Sequence, residues 1–177
     1  MSLPNHRMLP LTMLGIVFVA ALIACGMLFS RPAEAQELDL AITKTLIGSE
    51  VVQVGQILEF AVRITNTGTV PIVELELIDE FVGEVVAPAG IGPFAEPGDP
   101  PLSDTQPYSY DGAERITWQL LGNGQVLAAG ESLEVIVRLR AIRPRSELTT
   151  VNRARIERAI RSDGGSSGGG SAEAPAR

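Results

Sequence analysis

The chain has 177 residues, and its 14 lysine and arginine residues against 21 aspartate and glutamate residues give a net charge of −7 at pH 7. Because nucleic-acid binding needs a basic surface, this acidic balance argues against nucleic acid as a partner. The only histidine, His6, and the only cysteine, Cys25, both lie near the amino terminus. The part of the chain that follows these two residues lacks Ser-His-Asp and Cys-His catalytic groups and the common zinc ligands. We therefore predict neither an enzyme nor a cofactor.

The first 35 residues have the pattern of an export signal. His6 and Arg7 precede an uncharged apolar run at 11–29, and Ala33-Glu34-Ala35 supplies the small residues of an A-x-A cleavage site. An apolar run of this kind enters the bilayer as a helix during export, and small residues fit the cleft of the processing peptidase. We therefore predict a signal peptide over residues 1–35.

Two alternatives use the same apolar run. It contains 19 residues, close to the roughly 20 that a helix needs to cross a bilayer, so it is also compatible with a retained anchor. The segment Leu22-Ile23-Ala24-Cys25-Gly26 resembles a lipoprotein motif in which Cys25 carries the lipid. All three interpretations place the folded part outside the cytoplasmic membrane, in the secreted or cell-envelope fraction, with membrane contact only through the amino-terminal segment.

The rest of the chain has the alternation of apolar and polar residues that is typical of half-buried β-strands. In 57–66, for example, Phe60 and Val62 share one face, whereas Glu59 and Arg63 share the other. Strands are predicted in this way over 38–45, 57–66, 72–79, 115–120, 132–142 and 149–158. In the strand at 132–142, the alternation places Arg138 and Arg140 on the solvent-facing side.

These strands predict an all-β fold, a single immunoglobulin-like antiparallel β-sandwich of about seven strands over residues 36–161. The segment 85–112 is the longest irregular stretch and contains six prolines, so no central strand is expected to run through it. Residues 162–177 are rich in glycine and serine and predict a disordered tail.

Several segments, taken in order, resemble a family of bacterial surface repeats known as domain of unknown function 11. They are LDLAITKT at 38–45, ITNTGTVPIVELELID at 64–79, ITWQL at 116–120, LAAGESLEVIVRL at 127–139 and VNRARI at 151–156. The resemblance implies an immunoglobulin-type sandwich in an exported or wall-associated protein, and a structural or adhesive role at the cell envelope. The chain departs from the family's tandem arrays in having one copy, and it has a long proline-rich insertion.

Three polar residues are predicted to face the core. Lys44 is the only lysine, and strand parity points it inward, as it does Asp79 and Asn152. A lysine on the first strand, an asparagine on the last and an inward acid resemble the intramolecular isopeptide sites of Gram-positive surface sandwiches. The alternative is an ion pair between Lys44 and Asp79 at the sheet edge, with Asn152 bonded to backbone groups.

The proline-rich segment also offers candidate binding residues. Oxygen ligands for calcium are available from Glu96, Asp99, Asp104 and Asp111, although their spacing matches no regular calcium loop, and a solvated acidic loop is the alternative.

A second function class, binding of a glycan or of a protein of the envelope, would use the same segment, 85–112. Tyr108, Tyr110 and Trp118 could form a sugar-stacking platform there, whereas a lone tryptophan on such a strand is more often part of the core.

Overall fold

The computed structural model describes residues 39–49, 51–144, 149–166 and 171–176. The predicted signal peptide, with Cys25 and its alternative lipidation, lies outside these described residues. Within the described part of the chain, no helix is long and apolar enough to cross a membrane.

Within the described residues, nine strands form two antiparallel sheets, so the predicted all-β class is confirmed. The strands are β1 Leu40–Ile47, β2 Ile57–Asn66, β3 Ile72–Phe81, β4 Val86–Pro88, β5 Tyr108–Tyr110, β6 Arg115–Leu121, β7 Ser132–Ala141, β8 Thr149–Arg161 and β9 Ser171–Ala176. One sheet has the order β1-β2-β7-β4 and the other the order β5-β6-β3-β8-β9. All six strands that the alternation predicted are present, with shifts of a few residues at their ends.

The core consists of the apolar faces of both sheets. On β2 the alternating residues Leu58, Phe60, Val62 and Ile64 are at most 2% exposed. Trp118 on β6 is completely buried, and the hydrophobic core takes residues from both sheets. Period-two alternation therefore gives each sheet one apolar face, and burying these faces is the main favourable contribution to folding.

Three short strands go beyond the sequence prediction. β4 and β5 lie near the two ends of the proline-rich segment 85–112, and each is the outermost strand of its sheet. Proline is tolerated in such edge strands, and no central strand passes through this segment. β9 lies within the predicted disordered tail and pairs with β8. The difference has a physical cause: the outer edge of β8 offers unpaired backbone groups, and strand pairing needs only backbone atoms from the added segment.

The proline-rich segment between β4 and β5 runs along the edge of β7. The backbone N–H of Arg138 donates to the carbonyl of Leu102 at 2.8 Å, and that of Ala89 donates to the carbonyl of Arg138 at 3.0 Å. Leu102 is completely buried. The predicted solvent exposure of Arg138 and Arg140 is therefore wrong, because this segment covers them: Arg140 is only 7% exposed.

Candidate functional site

Three polar side chains meet in the core between the two sheets, and we call Lys44, Asp79 and Asn152 the core cluster. The side chains of Lys44 and Asp79 are 0% exposed, and Asn152 is 1% exposed as a residue. All three face inward, as strand parity predicted. Charged side chains are rarely buried to this extent unless they are paired, so the cluster has a specific structural or chemical role.

The strand register explains how these residues come together. β3 and β8 are neighbours in one sheet, with Asp79 opposite Ala154 and Phe81 opposite Asn152. Because side chains two positions apart share a face, Asp79 and Asn152 are diagonal neighbours on the inner face. Lys44 enters from β1 in the other sheet. The core cluster thus connects the two sheets through the middle of the core.

One carboxyl group bridges the amine and the amide. Asp79 Oδ2 accepts a hydrogen bond from Lys44 Nζ, and Asp79 Oδ1 accepts one from Asn152 Nδ2. Asn152 Nδ2 also donates to the backbone carbonyl of Glu80 at 3.3 Å. The remaining amide atom, Asn152 Oδ1, is buried and has no hydrogen-bond partner among the described residues. An unsatisfied buried acceptor of this kind typically costs about 1–3 kcal/mol.

The surroundings disfavour charge on both ionisable members. Burial lowers the pKa of Lys44 below its ordinary value, against the opposing effect of Asp79. Burial likewise raises the pKa of Asp79 above its ordinary value, against the effects of Lys44 and Asn152. The Phe60 ring, whose centre lies 5.2 Å from Lys44 Nζ, attracts a cation and so acts in the opposite direction on Lys44. These shifts bring the two pKa values towards each other, which favours a neutral amine beside a neutral carboxyl group.

The four predicted calcium ligands are not brought together. Glu96 and Asp99 contact Arg140, whereas Asp104 contacts Arg138. Asp111 instead accepts hydrogen bonds from the backbone N–H groups of Ala113 and Arg115. Among the residues that the structure describes, no group of three or more His, Cys, Asp or Glu side chains is placed to hold a metal ion.

The three aromatic residues do not form an exposed platform. Trp118 is completely buried, which confirms the alternative assignment of this residue to the core. Tyr108 packs beside it, with 6.2 Å between ring centroids, and Tyr110 stacks on Phe81 at 6.3 Å. The exposed aromatic residue of this segment is Phe94, which is 48% exposed and was not singled out by the sequence.

Two arginines of β7 form a cluster that sequence analysis missed, and we call Arg138 and Arg140 with their acidic partners the loop clamp. Arg138 contacts Glu59 at 2.6 Å and binds Asp104 through both terminal nitrogens, at 2.9 and 2.6 Å. Arg140 contacts Asp99 and donates to the carbonyl of Gly55 at 2.6 Å. The two arginines thereby fasten the proline-rich segment to β7.

Removing one arginine of the loop clamp should weaken the fold. We expect Arg138→Ala to lower the free energy of unfolding by about 1–3 kcal/mol, because several charge-assisted hydrogen bonds are lost at once. Urea denaturation measures the effect. Arg158→Ala is a suitable control, since Arg158 pairs with Glu74 on an exposed surface and should change stability by less than about 1 kcal/mol. Equal effects of the two variants would contradict a structural role for the loop clamp.

The loop clamp should also respond to acid. The N–H of Glu96, with help from Arg140, holds the pKa of Asp99 below its ordinary value of 3.8, and Arg138 does the same for Asp104. A carboxyl group with a depressed pKa in the folded state contributes stability that is complete above its unfolded pKa and is lost as the pH falls through the folded pKa. We expect the urea concentration at the unfolding midpoint to decrease as the pH is lowered below about 4. In the double variant Asp99→Asn/Asp104→Asn this decrease should be less steep.

Comparisons with known proteins give similarities of fold only. No protein-family model matches the chain, and no curated protein matches it. The major pilin subunit BcpA of Bacillus cereus aligns over 77% of this chain and 40% of its own, with 10% identity and a TM-score of 0.47. This chain therefore spans about two fifths of the pilin subunit.

Two smaller proteins align over most of their own length. The seventh type I cohesin of ScaB from Pseudobacteroides cellulosolvens aligns over 77% of this chain and 93% of its own, with 9% identity and a TM-score of 0.46. The bacterial hydrophobin BslA aligns over 78% and 94%, with 12% identity and a TM-score of 0.46. At these identities and TM-scores, the similarities support no conclusion about the function of this chain.

Proposed function

We propose that this chain is an exported, non-enzymatic structural or adhesive module of a bacterial-type cell envelope, with an immunoglobulin-like sandwich of the kind found in domain of unknown function 11. The export pattern over 1–35 supports the location, and the ordered series of motifs supports the family. The polar groups of the core cluster are engaged with one another inside the sandwich. Their position suits a role in holding the fold together rather than in turning over a substrate.

The observation that carries this proposal is the connection between sheets. Lys44 on β1 and Asn152 on β8 belong to opposite sheets, and Asp79 contacts both. Replacing such a buried cluster by apolar residues would often be neutral or stabilising, so its presence suggests a purpose beyond ordinary stability. A module that must resist pulling or shearing at a cell surface gains from a fixed link between its two layers.

The location is tested by expressing the full chain in a bacterial host. We expect the protein in the envelope or the medium, and we expect protease added to whole cells to reach any cell-bound form. A variant lacking residues 1–35 should remain inside and be protected. Retention of the full-length chain in the cytosol would contradict the proposed function.

A binding role is the second candidate, and exposed Phe94 favours it. Phe94 lies in a shallow groove of about 300 Å³ together with Val54, Pro93 and Ile142. Val54 is 55% exposed, so two apolar side chains face solvent side by side. The loop clamp fixes the segment that carries Phe94, through Asp99 and Arg140. A fixed, exposed aromatic side chain suits stacking on a sugar or contact with a protein.

Purified peptidoglycan serves as the probe for this second candidate. If the groove binds glycan, Phe94→Ser should reduce co-sedimentation several-fold compared with the unmodified chain. Val126→Ser is the matched control, because Val126 is 49% exposed but is not among the residues that line the groove. Equal co-sedimentation of all three proteins, or none at all, would remove glycan binding through this groove.

A further inference from the structure

The core cluster contains the three groups that an amide-forming reaction needs. A primary amine is the nucleophile, a carboxamide carbon is the electrophile, and a carboxyl group between them can carry the proton. We propose that Lys44 Nζ and Asn152 Cγ become joined by an amide bond inside the folded domain, with Asp79 as the proton carrier and ammonia as the leaving group. The inference deepens the structural role proposed above, and it assigns a covalent modification to three residues.

Proximity comes from the shared carboxyl group. Both oxygens of Asp79 are in use, one by Lys44 Nζ and the other by Asn152 Nδ2. Two groups that are hydrogen-bonded to the same carboxyl group are neighbours, so the amine of Lys44 and the amide of Asn152 are held near each other before any reaction. The strands fix this arrangement, since Asp79 and Asn152 occupy one face of paired β3 and β8. Holding the two reacting groups in one site lowers the barrier relative to the same reaction between separate molecules.

The burial of the core cluster favours the protonation state that the reaction needs. A lysine attacks only as the neutral amine, and an ammonium group has no free electron pair. Transfer of one proton from Lys44 Nζ to Asp79 converts the ion pair to a neutral pair without any change in the total number of protons. The lowered pKa of Lys44 and the raised pKa of Asp79 both favour this transfer, and burial is the main cause of each.

The reaction balances within the three side chains. The electron pair of Lys44 Nζ forms a bond to Asn152 Cγ, giving a tetrahedral centre with charge on Oδ1, to which protonated Asp79 can donate. A proton from Nζ then passes through Asp79 to Nδ2, the bond between Cγ and Nδ2 breaks, and ammonia departs. Asp79 ends protonated, as it began. The net change is amine plus carboxamide to secondary amide plus ammonia, with no other reactant.

The unpartnered atom of Asn152 fits this scheme. In the ion-pair state Asn152 Oδ1 is buried and has no donor in the part of the chain that the structure describes. A protonated Asp79 carboxyl is a hydrogen-bond donor in the same cluster, whereas the ionised carboxylate can only accept. When the tetrahedral centre forms, negative charge develops on Oδ1, and a hydrogen bond from Asp79 would stabilise that charge. The same hydrogen bond would polarise the carbonyl for attack and would persist to the amide product.

Intact mass of the full chain, purified from an exporting host, tests the inference. We expect a mass lower by one ammonia than the sequence from the observed first residue requires. An amino-terminal Gln36 can cyclise with the same loss, so Gln36→Ala is the necessary control. A deficit of one ammonia should remain in Gln36→Ala. It should disappear when either Lys44→Met or Asp79→Asn is added to Gln36→Ala, and asparagine keeps the size of the Asp79 side chain.

Several results would overturn the inference. They are a full mass in the unmodified chain, a deficit that disappears with Gln36→Ala, and a deficit that survives both Gln36→Ala and Lys44→Met. The measurement on Gln36→Ala, whose core residues are unchanged, decides even if a core variant fails to fold. A chain that is exported but has its full mass would contradict the cross-link and leave the envelope location standing, so the two proposals fail separately.

Discussion

The double variant Lys44→Met/Asp79→Leu is expected to be less stable than the unmodified chain by about 4–5 kcal/mol. The cross-link would close a segment of 108 positions (152 − 44), and closing a loop of about 100 residues restricts the unfolded chain by roughly this free energy. The variant replaces amine and carboxyl together by apolar side chains, so neither charge remains buried without a partner. Urea denaturation monitored through Trp118 measures the difference.

The same variant distinguishes a bond from an ion pair. If Lys44 and Asp79 form only a buried ion pair, apolar replacement of both removes the cost of burying two charges but also removes the acceptor of Asn152 Nδ2. The net change in stability should then be much smaller than about 4–5 kcal/mol and can be an increase. Glu74→Leu/Arg158→Met applies the same type of change to an exposed pair and should alter stability by less than about 1 kcal/mol. A stabilised core variant would therefore contradict the cross-link.

Mechanical unfolding should show the second large effect. When the chain is pulled by its two ends, the bond between Lys44 and Asn152 carries the force past the segment between them. The extension gained on unfolding should then be about 360–390 Å shorter than that of a chain without the bond, because this is the extended length of 108 residues. Force spectroscopy on a single molecule measures this length directly.

Asp79→Asn provides the comparison for this experiment. It retains a side chain of the same size but has no carboxyl group to carry the proton, so the bond should not form. Its unfolding should release the segment that stays hidden in the unmodified chain. Release of the full length by both proteins would show that the two sheets are not covalently joined.

Strand parity predicted much of the core cluster but not its geometry. The alternation around Lys44, Asp79 and Asn152 fixes which way each side chain points. It does not state that β3 pairs with β8, or that β1 lies in the opposite sheet, because pairing depends on contacts between residues far apart in the chain. The number of edge strands was underestimated for the same reason, since β9 forms by adding backbone to a free edge.

The loop clamp shows where local pattern is insufficient. Alternation correctly places Arg138 and Arg140 on the face away from the core, and from this we predicted exposure. The structure covers them with a segment that lies more than thirty positions earlier and carries Asp99 and Asp104. The acids of this segment were considered as calcium ligands, whereas their partners are guanidinium groups. The complementary charges were visible in the sequence, but the path of the loop was not.

The most direct test of the proposed cross-link is peptide mapping after complete tryptic digestion of the unmodified chain. A bond at Lys44 blocks cleavage there, so we expect a branched product in which the peptide running through Lys44 to Arg63 is joined to Ser146–Arg153, the peptide that contains Asn152. Fragmentation should place the junction between these two side chains. Recovery of an unmodified peptide ending at Lys44, together with free Ser146–Arg153, would contradict the account.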